Sequence, residues 1–122
     1  MVKTKIMPFL PSLREKKRYI AYEVISNEKI RSFNLVSNAI INQATQFLGI
    51  YGMAKAGMIL LENKWNPESQ RGIMKVSHSN VDAVKSALMF ADKVDDKEVI
   101  IRSLGVSGIL RKAEEKYLKE KH

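Results

Sequence analysis

The chain has 122 residues, enough for one hydrophobic core but not two, and its 45% hydrophobic and 28% charged residues are those of a folding sequence rather than a disordered one. It contains no cysteine, which excludes disulfide scaffolds, thiol catalysis and Cys-ligated metal or cluster sites, and suits a reducing compartment. The net charge of +8 is concentrated at the ends: +5 over residues 1–20, +1 over 21–107 and +2 over 108–122, a distribution that points to a polyanionic partner.

A single domain is expected over 1–122, with a basic N-terminal segment at 1–17, a core at 18–107 and a C-terminal helix at 108–122. The opening stretch is interrupted by Pro8 and Pro11, and no uncharged run approaches ~20 apolar residues. Neither a signal segment nor a membrane span is predicted, and the expected location is cytoplasmic.

Tyr19–Ile25, rich in aromatic and β-branched residues and closed by Ser26-Asn27, predicts a first strand. Between Lys29 and Leu48, Phe33, Val36, Ile40, Ala44 and Phe47 recur on one helical face, and Gly49 and Gly52 mark the predicted end. Gly57–Leu61 and Arg71–Ser77 read as two strands of a hairpin, joined by the turn-rich Asn63–Gln70. Ser79 or Asn80 then caps a second helix with Val81, Val84, Leu88 and Ala91 on one face, and Asp95-Asp96-Lys97 breaks it. Glu98–Gly105 is the fourth strand, and Ile109–Lys121 has helix-forming composition. The order is β-α-β-β-α-β plus a C-terminal helix. This predicts an α+β, ferredoxin-like sandwich: a four-stranded antiparallel sheet with helices on one face and the other face free for RNA or protein.

Residues able to carry catalysis are few. His78 lies between a strand and a helix, where a hydrogen-bonding turn role is the ordinary reading, and His122 is the last residue. Asp92, Asp95, Asp96 and Glu98 offer carboxylates for Mg²⁺ but lack the spacing of a calcium loop, and read as solvated turn residues. No phosphate-binding Gly-rich loop followed by Lys-Ser or Lys-Thr is present. No catalytic residue, metal ligand or cofactor is therefore assigned, and catalysis by this chain alone is not expected.

Binding features are better represented. Arg14, Lys16, Lys17 and Arg18 precede Tyr19 and Tyr22, pairing phosphate-neutralising cations with aromatics that either stack on bases or pack on the strand. Trp65, beside Lys64, Asn66, Gln70 and Arg71, is either a lid on the core or an exposed contact. Gly105, Ser107 and Gly108, followed by Arg111 and Lys112, place flexible residues and then cations at a strand-to-helix junction suited to phosphate. From Ser32 to Ala54 the first helix carries no charge, and its exposed row is expected to be Asn34, Asn38, Asn42 and Gln46. Solvated helix faces usually carry Lys and Glu, so this amide row points to a protein interface.

Three segments together, Leu13–Ile25, Trp65–His78 and Leu104–Ala113, resemble the archaeal ribonuclease P protein component 2 family, which has eukaryotic counterparts. The resemblance spans roughly Pro11 to Ala113. It implies a non-catalytic subunit of the endoribonuclease particle that removes the 5′ leader of precursor tRNA, with the Mg²⁺-dependent active site in the RNA subunit. The implied partners are ribonuclease P RNA, precursor tRNA indirectly, and a TIM-barrel-like protein subunit with which two such pairs form a heterotetramer. Arg71–Ser77 begins like the aromatic strand of RNA recognition modules but lacks its aromatics, so the sheet face is expected to serve a protein rather than stack bases. The alternative readings are an autonomous structured-RNA or single-strand RNA-binding protein of the same fold, and an enzyme or small-molecule regulatory domain. The last needs a pocket with convergent polar groups that the sequence does not supply.

Overall fold

Aromatic and β-branched residues along Lys17–Ser26, covered on both faces, build strand β1, and a computed structural model describing residues 16–118 places it at the centre of a sheet. The elements that follow are α1 (Phe33–Ala56), β2 (Ile59–Leu60), a 3₁₀ turn at Glu62–Lys64, β3 (Arg71–Ser77) and a 3₁₀ turn at His78–Asn80. Then come α2 (Val81–Met89), β4 (Lys93–Val94), β5 (Lys97–Ser107) and a short helix α3 (Leu110–Ala113), continued by a wider helical turn at Glu114–Leu118. The sheet is antiparallel with order β2-β3-β1-β5-β4. Five strands are present where four were expected. The extra strand, β4, forms a hairpin with β5 across Asp95 and Asp96, both at positive φ (51° and 64°), the backbone of a two-residue turn matched to strand twist. Aspartate tolerates that region better than most residues.

On one face of the sheet Ile20, Tyr22, Val24, Met74, Val76 and Ile101 meet Val36 and Ile40 of α1 and Val84 and Leu88 of α2. Each such buried aliphatic stabilises the fold by roughly 1.5–3 kcal/mol relative to exposure. Tyr22 and Trp65 belong to this core, their rings stacked at 6.2 Å, and the Trp65 indole N–H donates to the Arg31 carbonyl at 2.8 Å. The open alternatives for these two aromatics thus resolve inward.

The opposite face is not free as the sequence suggested. The C-terminal segment lies on it, with Leu110, Ala113, Tyr117 and Leu118 against Ala21, Ile73, Leu104 and Tyr19. At the same face Glu23 bridges two strands, accepting from Arg71 Nε at 3.2 Å and Arg102 Nη2 at 2.9 Å, while Arg71 Nη1 donates to the Tyr117 carbonyl at 2.9 Å.

Helix α1 also departs from expectation. Ser32 caps it, its hydroxyl accepting from the Leu35 N–H at 3.3 Å, but the helix runs beyond Leu48 to Ala56. Gly49, at φ 77° and ψ 171°, is non-helical, a conformation open in practice only to glycine, so the first helical stretch ends there as the sequence indicated and a second stretch follows across the kink to Ala56. Phe47, assigned to the buried face, is 46% exposed beside this bend. At α2 the Asn80 side chain makes no capping bond, because its carbonyl oxygen accepts instead from the Ser77 hydroxyl at 2.7 Å. No helix among the described residues is long and apolar enough to cross a membrane.

Candidate nucleic-acid interface

Antiparallel pairing decides which charged segments meet. Tyr19 stands opposite both Lys75 of β3 and Ser107 of β5, so the start of β1 and the ends of β3 and β5 share one end of the sheet. The last turn of α1 joins them: the Ser77 hydroxyl oxygen lies 3.3 Å from the Lys55 carbonyl, and the His78 N–H donates to the Lys16 carbonyl at 2.8 Å. The four segments 16–22, 50–61, 72–81 and 103–113 carry Lys16, Lys17, Arg18, Lys55, Lys75, Arg111 and Lys112 and no carboxylate. Glu23, Glu28, Glu68, Asp95, Asp96 and Glu98 lie towards the other end of the same strands. The sheet is therefore polarised along its strands, with cations gathered at one end and Glu62, Asp82 and Glu114 following directly on those segments.

Within that end Lys16, Arg111 and Lys112 are exposed, and Lys17 and Arg18 are half-buried. The Arg18 guanidinium reaches across to Gly108, where an added β-carbon would lie 3.6 Å from Nη1, and donates to the Lys17 carbonyl at 3.0 Å. Ser107 organises the junction, its hydroxyl accepting from the Ile109 N–H at 3.1 Å. Arg14 lies outside the described residues. Arg71 and Gly105 are engaged within the fold: Arg71 is held by Glu23 and the Tyr117 carbonyl, and Gly105 is covered within β5 by the Tyr117 ring.

Asn34, Asn38, Asn42 and Gln46 are all exposed on α1. Asn38, Asn42 and Gln46 form one wall of a cleft of about 390 Å³ whose other side is Ala91, Asp92, Asp95 and Asp96. Beyond it Phe47 stacks on Phe90 at 5.1 Å, with Met89 exposed alongside. This apolar patch was missed because Phe47 falls in the helical period of the core residues; nothing in the sequence places the bend and the end of α2 beside it.

The Rpp14/Pop5 family model matches residues 18–118 of the chain. The chain belongs to the Rpp14/Pop5 family. It is 34% identical over 119 residues to ribonuclease P protein component 2 of Pyrococcus abyssi, covering 98% of this chain and 97% of that one. To the protein of the same name from Methanocaldococcus jannaschii it is 37% identical over 108 residues, covering 88% and 77%. A chain in the cryo-EM structure of yeast ribonuclease MRP shares the fold with a TM-score of 0.61 at 15% identity, over 80% of this chain and 77% of that one. The match thus includes all four segments of the basic end of this Rpp14/Pop5 chain except Lys16 and Lys17.

Groups suited to chemistry are dispersed in this family member. His78 is exposed in its 3₁₀ turn, and Asp92, Asp95, Asp96 and Glu98 are exposed around the β4–β5 hairpin, Asp95 with Lys97 Nζ at 3.8 Å. Among the described residues no three His, Cys, Asp or Glu side chains gather as a metal site. The Tyr22 hydroxyl is buried without a hydrogen-bond partner, and desolvation raises it above the ordinary phenol range.

Proposed function

We propose that this chain is a non-catalytic protein subunit of ribonuclease P, binding the catalytic RNA through the basic end of its sheet and helping it remove the 5′ leader of precursor tRNA. The observation that carries the reading is the convergence of seven cations from four separated segments onto a sheet end whose segments hold no carboxylate, in an Rpp14/Pop5 chain. Cations so placed release counterions from RNA phosphates and stabilise a folded RNA without touching the bond that breaks. The frame is read as ferredoxin-like, extended by β4, in one cytoplasmic domain. No cofactor is assigned to this chain, and Mg²⁺ belongs to the RNA subunit.

The uncharged face of α1, the amide-walled cleft and the Phe47–Phe90 patch are read as the docking surface of a second protein, a TIM-barrel-like subunit, in an assembly of two such pairs. The autonomous single-strand binder is disfavoured because Tyr22 and Trp65 are committed to the core, which removes the stacking platform such a protein would present on its sheet. The test is reconstitution of precursor tRNA cleavage from cognate catalytic RNA and protein partners, with and without this chain. Cleavage that depends on the chain at physiological Mg²⁺, with none by the chain alone, supports the reading; cleavage indifferent to the chain refutes it.

A further inference from the structure

The aromatic residue that α1 carries past its bend has no role in the fold. Tyr51 is 77% exposed, far more than Tyr22, and belongs to neither core cluster. Gly49 redirects the helix, so Tyr51 rides on a segment whose last turn meets the basic end: Lys55 lies in that turn, and its carbonyl is 3.3 Å from the hydroxyl of Ser77, next to His78, which bonds Lys16. Lys55 Nζ stands 5.4 Å from the centre of the Tyr51 ring. An exposed ring with a cation over one face, continuous with a row of further cations, is the pairing with which proteins hold an unstacked base and its phosphate.

We propose that Tyr51 is a base-stacking residue for RNA, receiving an unpaired nucleotide whose phosphates are neutralised by Lys55 and Lys16. This rests on the RNA-binding reading above and adds to it. The strands supply cations for phosphates, and Tyr51 supplies an exposed ring with which this end can grip a base. The ligand is an RNA loop, bulge or strand end, because a base inside a helix presents no free face. Ile50, 84% exposed beside it, leaves a protein contact as the competing occupant.

The experiment compares wild type, Tyr51→Ala, Tyr51→Phe and Lys55→Ala in the full chain, all checked as folded by circular dichroism. Affinity for the cognate catalytic RNA is measured against salt, and affinity for the partner protein separately. Loss of one base–aromatic stack weakens RNA binding by about tenfold or more. Tyr51→Ala is therefore expected to lose that factor with an unchanged salt slope, Tyr51→Phe to keep wild-type affinity, and Lys55→Ala to flatten the slope by up to about one unit. Ultraviolet crosslinking of the assembled particle should mark Tyr51 on a nucleotide. The proposal is overturned if Tyr51→Ala binds RNA as wild type does, whether or not it loses the partner protein. If wild type itself binds no RNA, the RNA-binding reading falls first and takes this one with it.

Discussion

Tyr117 lies so close against the backbone of Gly105 that a β-carbon added to the glycine would fall inside the van der Waals envelope of the Tyr117 hydroxyl. The contact joins the C-terminal segment to the middle of β5, and Arg71 reinforces it through the Tyr117 carbonyl. Gly105→Val is expected to lift this segment from the sheet while α1 and α2 stay packed, with an overpacking cost of roughly 1–3 kcal/mol. Hydrogen exchange reads it as faster exchange confined to Leu110–Leu118. Gly108→Ala is the control: its nearest neighbour would be 3.6 Å away, so protection should not change. Equal exchange in the two variants would remove Tyr117 as the anchor.

Gln70 is the second fastening point. Buried and at φ 55°, it accepts from the Ile30 N–H and donates to the Val24 carbonyl at 2.6 Å, tying the loop before β3 to β1 and to the approach of α1. Gln70→Leu keeps the volume but leaves a buried donor and acceptor unpaired. A loss of about 1–3 kcal/mol in urea unfolding is expected, and a change below about 0.5 kcal/mol would mean that water replaces the amide.

The sequence was most legible where one period ran unbroken. Arg71–Ser77 is the predicted strand residue for residue, and Val36, Ile40, Ala44, Val84 and Leu88 are buried as their helical spacing required. It was least legible where tertiary contact overrode a local signal. Gly49 does break the helix, but the second helical stretch that follows it to Ala56 has no periodic signal of its own. β4 has two residues, too short for any periodicity, and its turn uses Asp-Asp where Asn-Gly or Asp-Gly is the recognisable pair. Of the candidate site, the cations of 16–18 and 111–112 were visible as charge excess. Lys55 and Lys75 were not, since isolated lysines in α1 and β3 become part of a cluster only through strand register. Trp65 could not be assigned, because its indole partner, the Arg31 carbonyl, lies 34 residues away.

Tyr22 is a buried phenol whose hydroxyl pairs with nothing and whose ring crowds Gly72, where an added β-carbon would lie 2.6 Å from the hydroxyl oxygen. Tyr22→Phe removes an unsatisfied polar group and is expected to leave stability unchanged or raise it by about 1 kcal/mol. The variant should also differ with pH. Burial raises the phenol in the folded state, so above about pH 10 the unfolded chain releases a proton that the folded chain keeps, and stability falls as pH rises. Urea midpoints from pH 9 to 11 should decline less for Tyr22→Phe than for wild type. Parallel declines would show that the Tyr22 hydroxyl is solvated.

The polarity of the sheet makes the sharpest demand. If Lys16, Arg18, Arg111 and Lys112 each neutralise a phosphate, replacing all four by alanine should lower the slope of log affinity against log salt by about three units, at ~0.7–0.9 per contact. Arg102 and Lys97 are cations of the same sheet at its opposite end, Arg102 held by Glu23 and Lys97 beside Asp95. Replacing those two should leave the slope unchanged, which separates a located interface from a general effect of lowering net charge. The fold should survive the four substitutions, since Lys16, Arg111 and Lys112 are exposed and Arg18 is half-buried with its guanidinium hydrogen-bonded to the neighbouring Lys17 carbonyl. An equal loss of slope per charge removed in both variants would mean that RNA responds only to the total charge of +8, and the basic end would then have no special claim to the RNA.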